Sequence, residues 1–468
     1  MAPKALAWSL AVAAPWIAWA ACPGAYMGTP HSGHSPVSNM TTYNEALDEL
    51  DVHALIADVE ALLTQSSDCW PADYGNYGPF FIRLAWHCSG TFRGTDGRGG
   101  CGGGRQRFSP EKDWEDNANL DHARALLWPI KEKYGDGLSW GDLFITAGSA
   151  SIKSMGGPVT QFCLGRIDDP DGTSSLDLGP SEQQELVAPC TTQGQCEKPL
   201  GSTTIGLIYL NPEGPVMEIS PGIWKPNPSP ANSSMDIRDA FGRMGMNDRE
   251  TVALIGGGHA FGKVHGACVP ADPSAPLCGN GKGEDTFTSG FEGPWTTTPT
   301  QWGNEFFRVL QEYEWEKHKG PADKWQWKAV NATGALAKVM RLTSDVALVN
   351  DPSYKVLVAE FAANQESLDE AFSNAWFKLT TSGGKWALNR RCTGETGTIG
   401  LEEADVKGGS NFAIGHLIGV ALAGIAVGAA VALGVVAAMR VATRNKARVP
   451  SSSDEESNVT QERTGAEP

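Results

Sequence analysis

Positive charge is what this sequence most lacks. Its 37 Lys and Arg stand against 54 Asp and Glu, a formal net charge of −17. Nucleic-acid binding draws on basic side chains that displace phosphate counterions, and so acidic a chain argues against it. An acidic surface favours cationic or neutral partners without identifying one. Sustained strand alternation is also missing, which leaves helices as the main fabric of the core. No internal repeat is present. Charged residues make up only 19% against 41% hydrophobic, so a sizeable core is expected and disorder is not the default. The 468 residues suffice for two average domains or one large one.

Long apolar runs occur at the two ends. Lys4 precedes an almost wholly apolar stretch from Ala5 to Ile17, and Ala18-Trp19-Ala20 fits a small-x-small cleavage pattern. Residues 1–20 therefore read as a secretory signal peptide. Leu417 to Met439 is 23 residues without a charge, long enough to span a bilayer, and residues 412–439 are expected to form one transmembrane helix. Arg440, Arg444, Lys446 and Arg448 follow it. By the positive-inside rule the tail, 440–468, is cytosolic and the large domain lies outside the cell. Ten cysteines suit that oxidising side, and Cys190 with Cys196 and Cys268 with Cys278 are expected to close small loops. Asn39, Asn232 and Asn331 stand in N-x-S/T sequons that permit glycosylation. An N-terminal arm, 21–42, and a short stem, 393–411, flank a domain at 43–392.

Within that domain Leu47 to Leu63 carries apolar residues at helical spacing. Asn119 to Tyr134 predicts a helix with a kink at Pro129. Ser139 opens another, with Asp142 three residues on as a partial capping box. Asn247 and Glu250 form a full box ahead of a helix that ends near Gly258. Two more helices are expected near Asn304–Tyr313 and Leu368–Leu379. Asp168 to Ser202, rich in Pro, Gly, Asp, Ser and Gln, reads as a long surface insertion.

Two stretches carry chemistry. In Arg83-Leu84-Ala85-Trp86-His87 the spacing of three and four puts a fixed cation, an indole and a base on one helical face. A glycine-rich loop, Gly94 to Gly104, follows and permits close backbone approach. Far downstream, Gly256-Gly257-Gly258-His259-Ala260-Phe261-Gly262-Lys263-Val264-His265 sets a second histidine among glycines at a helix end. Either histidine alone would pass as structural; their joint occurrence is what carries weight. Together the two stretches resemble the distal and proximal helices of class I haem peroxidases, and most closely the N-terminal half of catalase-peroxidases. The resemblance spans about Leu50 to Lys385.

What it implies is a mainly α-helical haem peroxidase fold, with haem b as cofactor and hydrogen peroxide and a small one-electron donor as substrates. His259 would be the axial ligand to the haem iron. Asp345, in Leu342-Thr343-Ser344-Asp345, would hold its second nitrogen, and Trp295, in Ser289-Gly290-Phe291-Glu292-Gly293-Pro294-Trp295, would be the proximal tryptophan. Lys263 and His265 match positions near the haem propionates. On the opposite face His87 would act as base and then acid, Arg83 as electrostatic stabiliser and Trp86 as cover over the haem edge. Asn117 matches the asparagine that orients the distal histidine. Trp86, Tyr209 and Met244 occupy positions that catalase-peroxidases cross-link, and Asp116 matches their access-channel acid. Gly293-Pro294-Trp295 instead looks more like cytochrome c peroxidase. The expected activity is therefore that of a peroxidase with catalase weak or absent, in oxidative-stress defence at the outer cell surface. The alternatives are a bifunctional catalase-peroxidase and a non-catalytic haem-binding surface receptor.

Overall fold

The computed structural model describes residues 40–403, apart from 68–69, 95–96, 115–116, 118, 160, 177–210, 265–290, 321–322 and 394–398. The expectations for the signal peptide, transmembrane helix and cytosolic tail fall outside those residues. So do those for Asn39, Asp116, Tyr209, His265 and the Cys190, Cys196, Cys268 and Cys278 loops. Among the described residues no helix is long and apolar enough to cross a membrane.

Helices dominate, as the missing strand alternation implies. The apolar run at Leu47–Leu63 is two helices rather than one: α1 (Met40–Glu49) and α2 (Val52–Leu63). Asp51 separates them because its carboxylate accepts from the Ala54 N–H and so starts a new helix. α3 (Gly78–Ser89) has Pro79 in its first turn. α4 (Leu120–Tyr134) runs through Pro129. α5 (Trp140–Ser154) is buried continuously from Trp140 to Ile152, the mark of a central helix. α3 can lie close on α5 because position 148 is glycine; a Cβ there would stand 2.5 Å from the Ala85 Cβ. The Ser139 hydroxyl accepts from the Asp142 N–H at 3.1 Å. The Asp142 carboxylate does not close a capping box, however. It turns inward to a fully buried pair with Arg166 at 2.8 Å and also accepts from Tyr43 at 2.5 Å.

In the second half α6 (Pro230–Arg243) leads into α7 (Asp248–Gly258). α7 carries the expected box: Asn247 accepts from Glu250 N and Glu250 accepts from Asn247 N, each at 2.9 Å. α8 (Glu305–Glu312), α9 (Thr343–Asn350), α10 (Pro352–Ala363) and α11 (Gln365–Thr381) complete the set. Trp376 of α11 donates from its indole to Ser149 Oγ of α5 at 3.0 Å, which ties the two halves of the core.

Short strands fill the joints. β1 (Cys163–Arg166), β9 (Trp386–Thr393) and β10 (Ile399–Glu403) form an antiparallel sheet in the order β1-β9-β10. Its third strand lies in the segment expected to be a stem. Cys163 faces Cys392 in register, and the two are disulfide-bonded. β2 (Val216–Ser220) and β3 (Ile223–Pro226) make a hairpin. β4 (Lys263–Val264) pairs with β5 (Gly293–Pro294). β6 (Trp315–Lys319), β7 (Trp325–Ala329) and β8 (Met340–Arg341) form a second three-stranded sheet. All of these strands but the eight-residue β9 are two to five residues long, too short to leave a period-two signature, which is why the sequence hides them.

The expected surface insertion is buried at its start. Asp168 accepts from the backbone N–H groups of Trp140 and Gly141 at 2.9 and 3.1 Å, capping α5 from outside the helix. Burial pushes its carboxyl up to about 6, with Arg107 and those two N–H groups opposing the rise.

Candidate active site

Two helices bring the chemistry to one cavity. Arg83 and Trp86 of α3 line it on one side; Leu254, Ile255, Gly258 and His259 line it on the other. Phe241, Phe261, Lys263 and Trp295 complete much of the wall. His87 is fully buried and is not itself among the lining residues. Trp86 stacks on Phe241 with centroids 5.5 Å apart and planes at 24°.

On the α3 side, His87 Nδ1 and Asn117 Oδ1 are 3.0 Å apart. The Asn117 amide nitrogen donates to the Glu111 carbonyl at 2.7 Å, so its oxygen is the atom turned to the imidazole. This assigns the proton to Nδ1 and leaves the basic lone pair on Nε2. The support continues outward. Glu111 pairs with Arg105 at 3.0 Å and accepts from Ser175 Oγ at 2.6 Å, and Arg105 pairs with Asp169 at 3.1 Å. Glu111, Arg105 and Asp169 were not legible from the sequence as parts of the site, since nothing in their spacing links them to His87. A disulfide between Cys88 and Cys101 fastens the end of α3 to the glycine loop. That loop packs on the protein itself: a Cβ at Gly102 would lie 2.2 Å from the Gly384 Cα.

On the α7 side, His259 caps the helix, its N–H donating to the Ile255 carbonyl at 2.9 Å. The glycines before it have distinct duties. A Cβ at Gly256 would strike the Phe307 ring at 2.1 Å and one at Gly257 the Phe372 ring at 2.3 Å, whereas one at Gly258 would meet open space. His259 Nδ1 lies 2.9 Å from Asp345 Oδ1, and Asp345 is fully buried. Asp345 Oδ2 also accepts from the Leu342 N–H at 2.8 Å. It therefore serves as helix cap and as histidine partner at once. Trp295 lies parallel to the His259 ring, centroids 3.8 Å apart and planes at 2°. The β4–β5 pairing explains that stack, because it fastens the strand after His259 to the strand before Trp295. Lys263 forms an ion pair with Glu292. Met244, next after α6, is buried. Sequence reasoning also missed Arg341, whose fully buried guanidinium donates to the Trp295 carbonyl at 2.6 Å.

A partly buried imidazole backed by a carboxylate thus faces, across one cavity, a helix bearing a cation, an indole and an amide-backed imidazole. The peroxidase family model matches residues 57–364, which contain every one of these groups. The chain belongs to the peroxidase family. Among its relatives in that family are proteins named catalase-peroxidase. The one from Salinibacter ruber is 48% identical over 363 residues, 72% of this chain and 49% of the relative. That from Halobacterium salinarum is 48% identical over 368 residues, 72% and 50% of the two chains. That from Escherichia coli is 46% identical over 381 residues, 75% and 50% of the two chains. This peroxidase-family chain spans about half the length of the curated relatives it matches.

A haem iron cofactor is implied by the family, and the residues fit one. The wall offers apolar side chains for a flat macrocycle (Trp86, Phe241, Leu254, Phe261) and cations for anionic substituents (Arg83, Lys263). His259, with its Nδ1 proton engaged by Asp345, keeps the Nε2 lone pair for a metal.

Proposed function

We propose that the protein is a haem b peroxidase, reducing hydrogen peroxide and oxidising small one-electron donors. The observation that supports this best is a His–Asp couple that faces, across one cavity, the arginine and tryptophan of a helix whose next residue, His87, is held by Asn117. Bound haem would supply the iron and the electrons for peroxide reduction. His259 would hold the iron, made more donating by Asp345. His87 takes a proton from one peroxide oxygen at Nε2 and returns it to the other as the O–O bond breaks. Asn117 holds the ring and its tautomer through Nδ1 while this occurs. Arg83 stays protonated and stabilises the charge on the departing oxygen. A haem-binding receptor without turnover would need only the first couple, so the second speaks for an enzyme.

The names of the relatives favour a second reading, catalase-peroxidase, in which Trp86, Tyr209 and Met244 become covalently joined. Trp86 stacks on Phe241, three residues before the buried Met244, which agrees with that reading. The apolar ends of the sequence support secretion and a single C-terminal membrane anchor, and the oxidative-stress role follows from the proposed chemistry. Absorption spectra of the purified haem-loaded protein, before and after peroxide, test the main reading. A haem band that changes with peroxide and returns when donor is added is expected; a band indifferent to peroxide rejects it. Oxygen release from peroxide alone at a rate rivalling donor oxidation, with a Trp–Tyr–Met peptide on mass analysis, would select the catalase reading instead.

A further inference from the structure

We infer that Arg341 is a positioning residue that fixes a positive charge beside Trp295 and keeps that indole from holding the oxidising equivalent. This rests on the haem-peroxidase reading above.

Arg341 is fully buried on β8, immediately ahead of the Leu342–Asp345 segment. Its Nη1 donates to the carbonyls of Trp295 and Met340 at 2.6 and 2.8 Å, and its Nη2 to that of Phe306 at 3.1 Å. The guanidinium carbon lies 4.2 Å from the centroid of the Phe306 ring and 5.0 Å from that of Trp315. The Phe306 ring in turn meets His259 edge-on at 5.8 Å. Among the described residues no carboxylate comes within ion-pairing distance of Arg341; Asp345 and Glu305 act on it from farther away. Burial pushes the guanidinium down to about 10, so it remains charged at neutral pH. A buried cation held by carbonyls and ring faces in place of a carboxylate is costly, and its surroundings keep it one aromatic layer from the proposed iron ligand.

Two consequences follow, with the same sign. When one electron leaves the Trp295 indole for the peroxide-oxidised cofactor, a positive hole remains on the ring. A fixed positive charge at the same residue opposes that hole, and low-dielectric surroundings strengthen the opposition. Arg341 also attracts the Asp345 carboxylate, which weakens that carboxylate's pull on the His259 Nδ1 proton. The imidazole is then less anionic, and the reduced iron is favoured. A merely structural Arg341, tying β8 to the Trp295 strand, would have neither effect.

The test uses the haem-loaded full chain. Arg341→Met removes the charge and keeps the bulk; Arg341→Lys keeps the charge and loses the fork. In Arg341→Met the iron midpoint potential should move negative, and peroxide should produce a tryptophan radical signal that disappears in the double variant with Trp295→Phe. Arg341→Lys should keep the wild-type potential. An unmoved potential in Arg341→Met, or equal shifts in the Met and Lys variants, overturns the inference. Where Arg341→Met does not fold, the wild type decides: a peroxide-induced radical that Trp295→Phe abolishes overturns the inference, and one indifferent to Trp295→Phe supports it. A wild type that binds no haem overturns the haem reading and this inference with it, whereas a haem-loaded protein with unmoved potentials overturns this inference alone.

Discussion

The two sides of the cavity solve the same problem, orienting a histidine, with different chemistry. On the α3 side the partner of His87 is a neutral amide, Asn117, itself steered by the Glu111 carbonyl. On the α7 side the partner of His259 is a buried carboxylate, Asp345. A neutral partner fixes a tautomer and adds no charge, so the imidazole can accept a proton and release it again. An anionic partner makes the ring a stronger electron donor, as a metal ligand requires. The sides differ in assembly too. Arg83, Trp86 and His87 come from a single turn of one helix, and Asn117 follows within 30 residues of His87. His259 and Asp345 are 86 residues apart, and Trp295 comes from a third segment. The shuttle is local in the chain, while the ligand's surroundings are gathered from afar.

This contrast can be broken in four ways, beginning with the largest effect. His259→Ala removes the proposed iron ligand. It should abolish axial ligation outright, read as loss or displacement of the haem absorption band, and full occupancy with an unchanged spectrum would refute the ligand assignment. His87→Leu should leave haem binding intact and slow the reaction with peroxide by about 10²–10⁴-fold. Stopped-flow measurement of that reaction checks it, and an unaltered rate sinks the proton-shuttle role.

Asp345→Asn separates charge from hydrogen bonding on the α7 side. Outer partners of metal ligands are worth about 10–100-fold in affinity or activity. A loss in that range is expected, together with a more positive iron midpoint potential, because the imidazole loses its anionic support. Its Oδ2 bond to the Leu342 N–H means that thermal stability must be followed in parallel. Asn117→Ala is the mildest change; it removes the neutral hydrogen bond to His87, together with the bond to the Glu111 carbonyl, and should cost roughly tenfold in the peroxide reaction. Its potential should match the wild type. If Asn117→Ala moved the iron potential as far as Asp345→Asn does, the division of labour between the two partners would be mistaken.

The sequence by itself determined whatever depends on neighbours along the chain. The i, i+3, i+4 spacing of Arg83, Trp86 and His87 is a property of any helix, and the Asn247–Glu250 box needs only four consecutive residues. The helical character of the domain followed from apolar periodicity, and the match to a known pattern supplied Asn117, Trp295 and Asp345. Tertiary structure decided what depends on residues remote in sequence. It showed that the glycine loop packs on Gly384, that Gly256 and Gly257 admit Phe307 and Phe372, and that Asp168 caps a helix it does not belong to. It placed Glu111 and Arg105 behind Asn117, and it buried Arg341 against the Trp295 carbonyl. No period or spacing announces such contacts. A buried charge takes its meaning from the carbonyls and rings around it, and only folding brings those together.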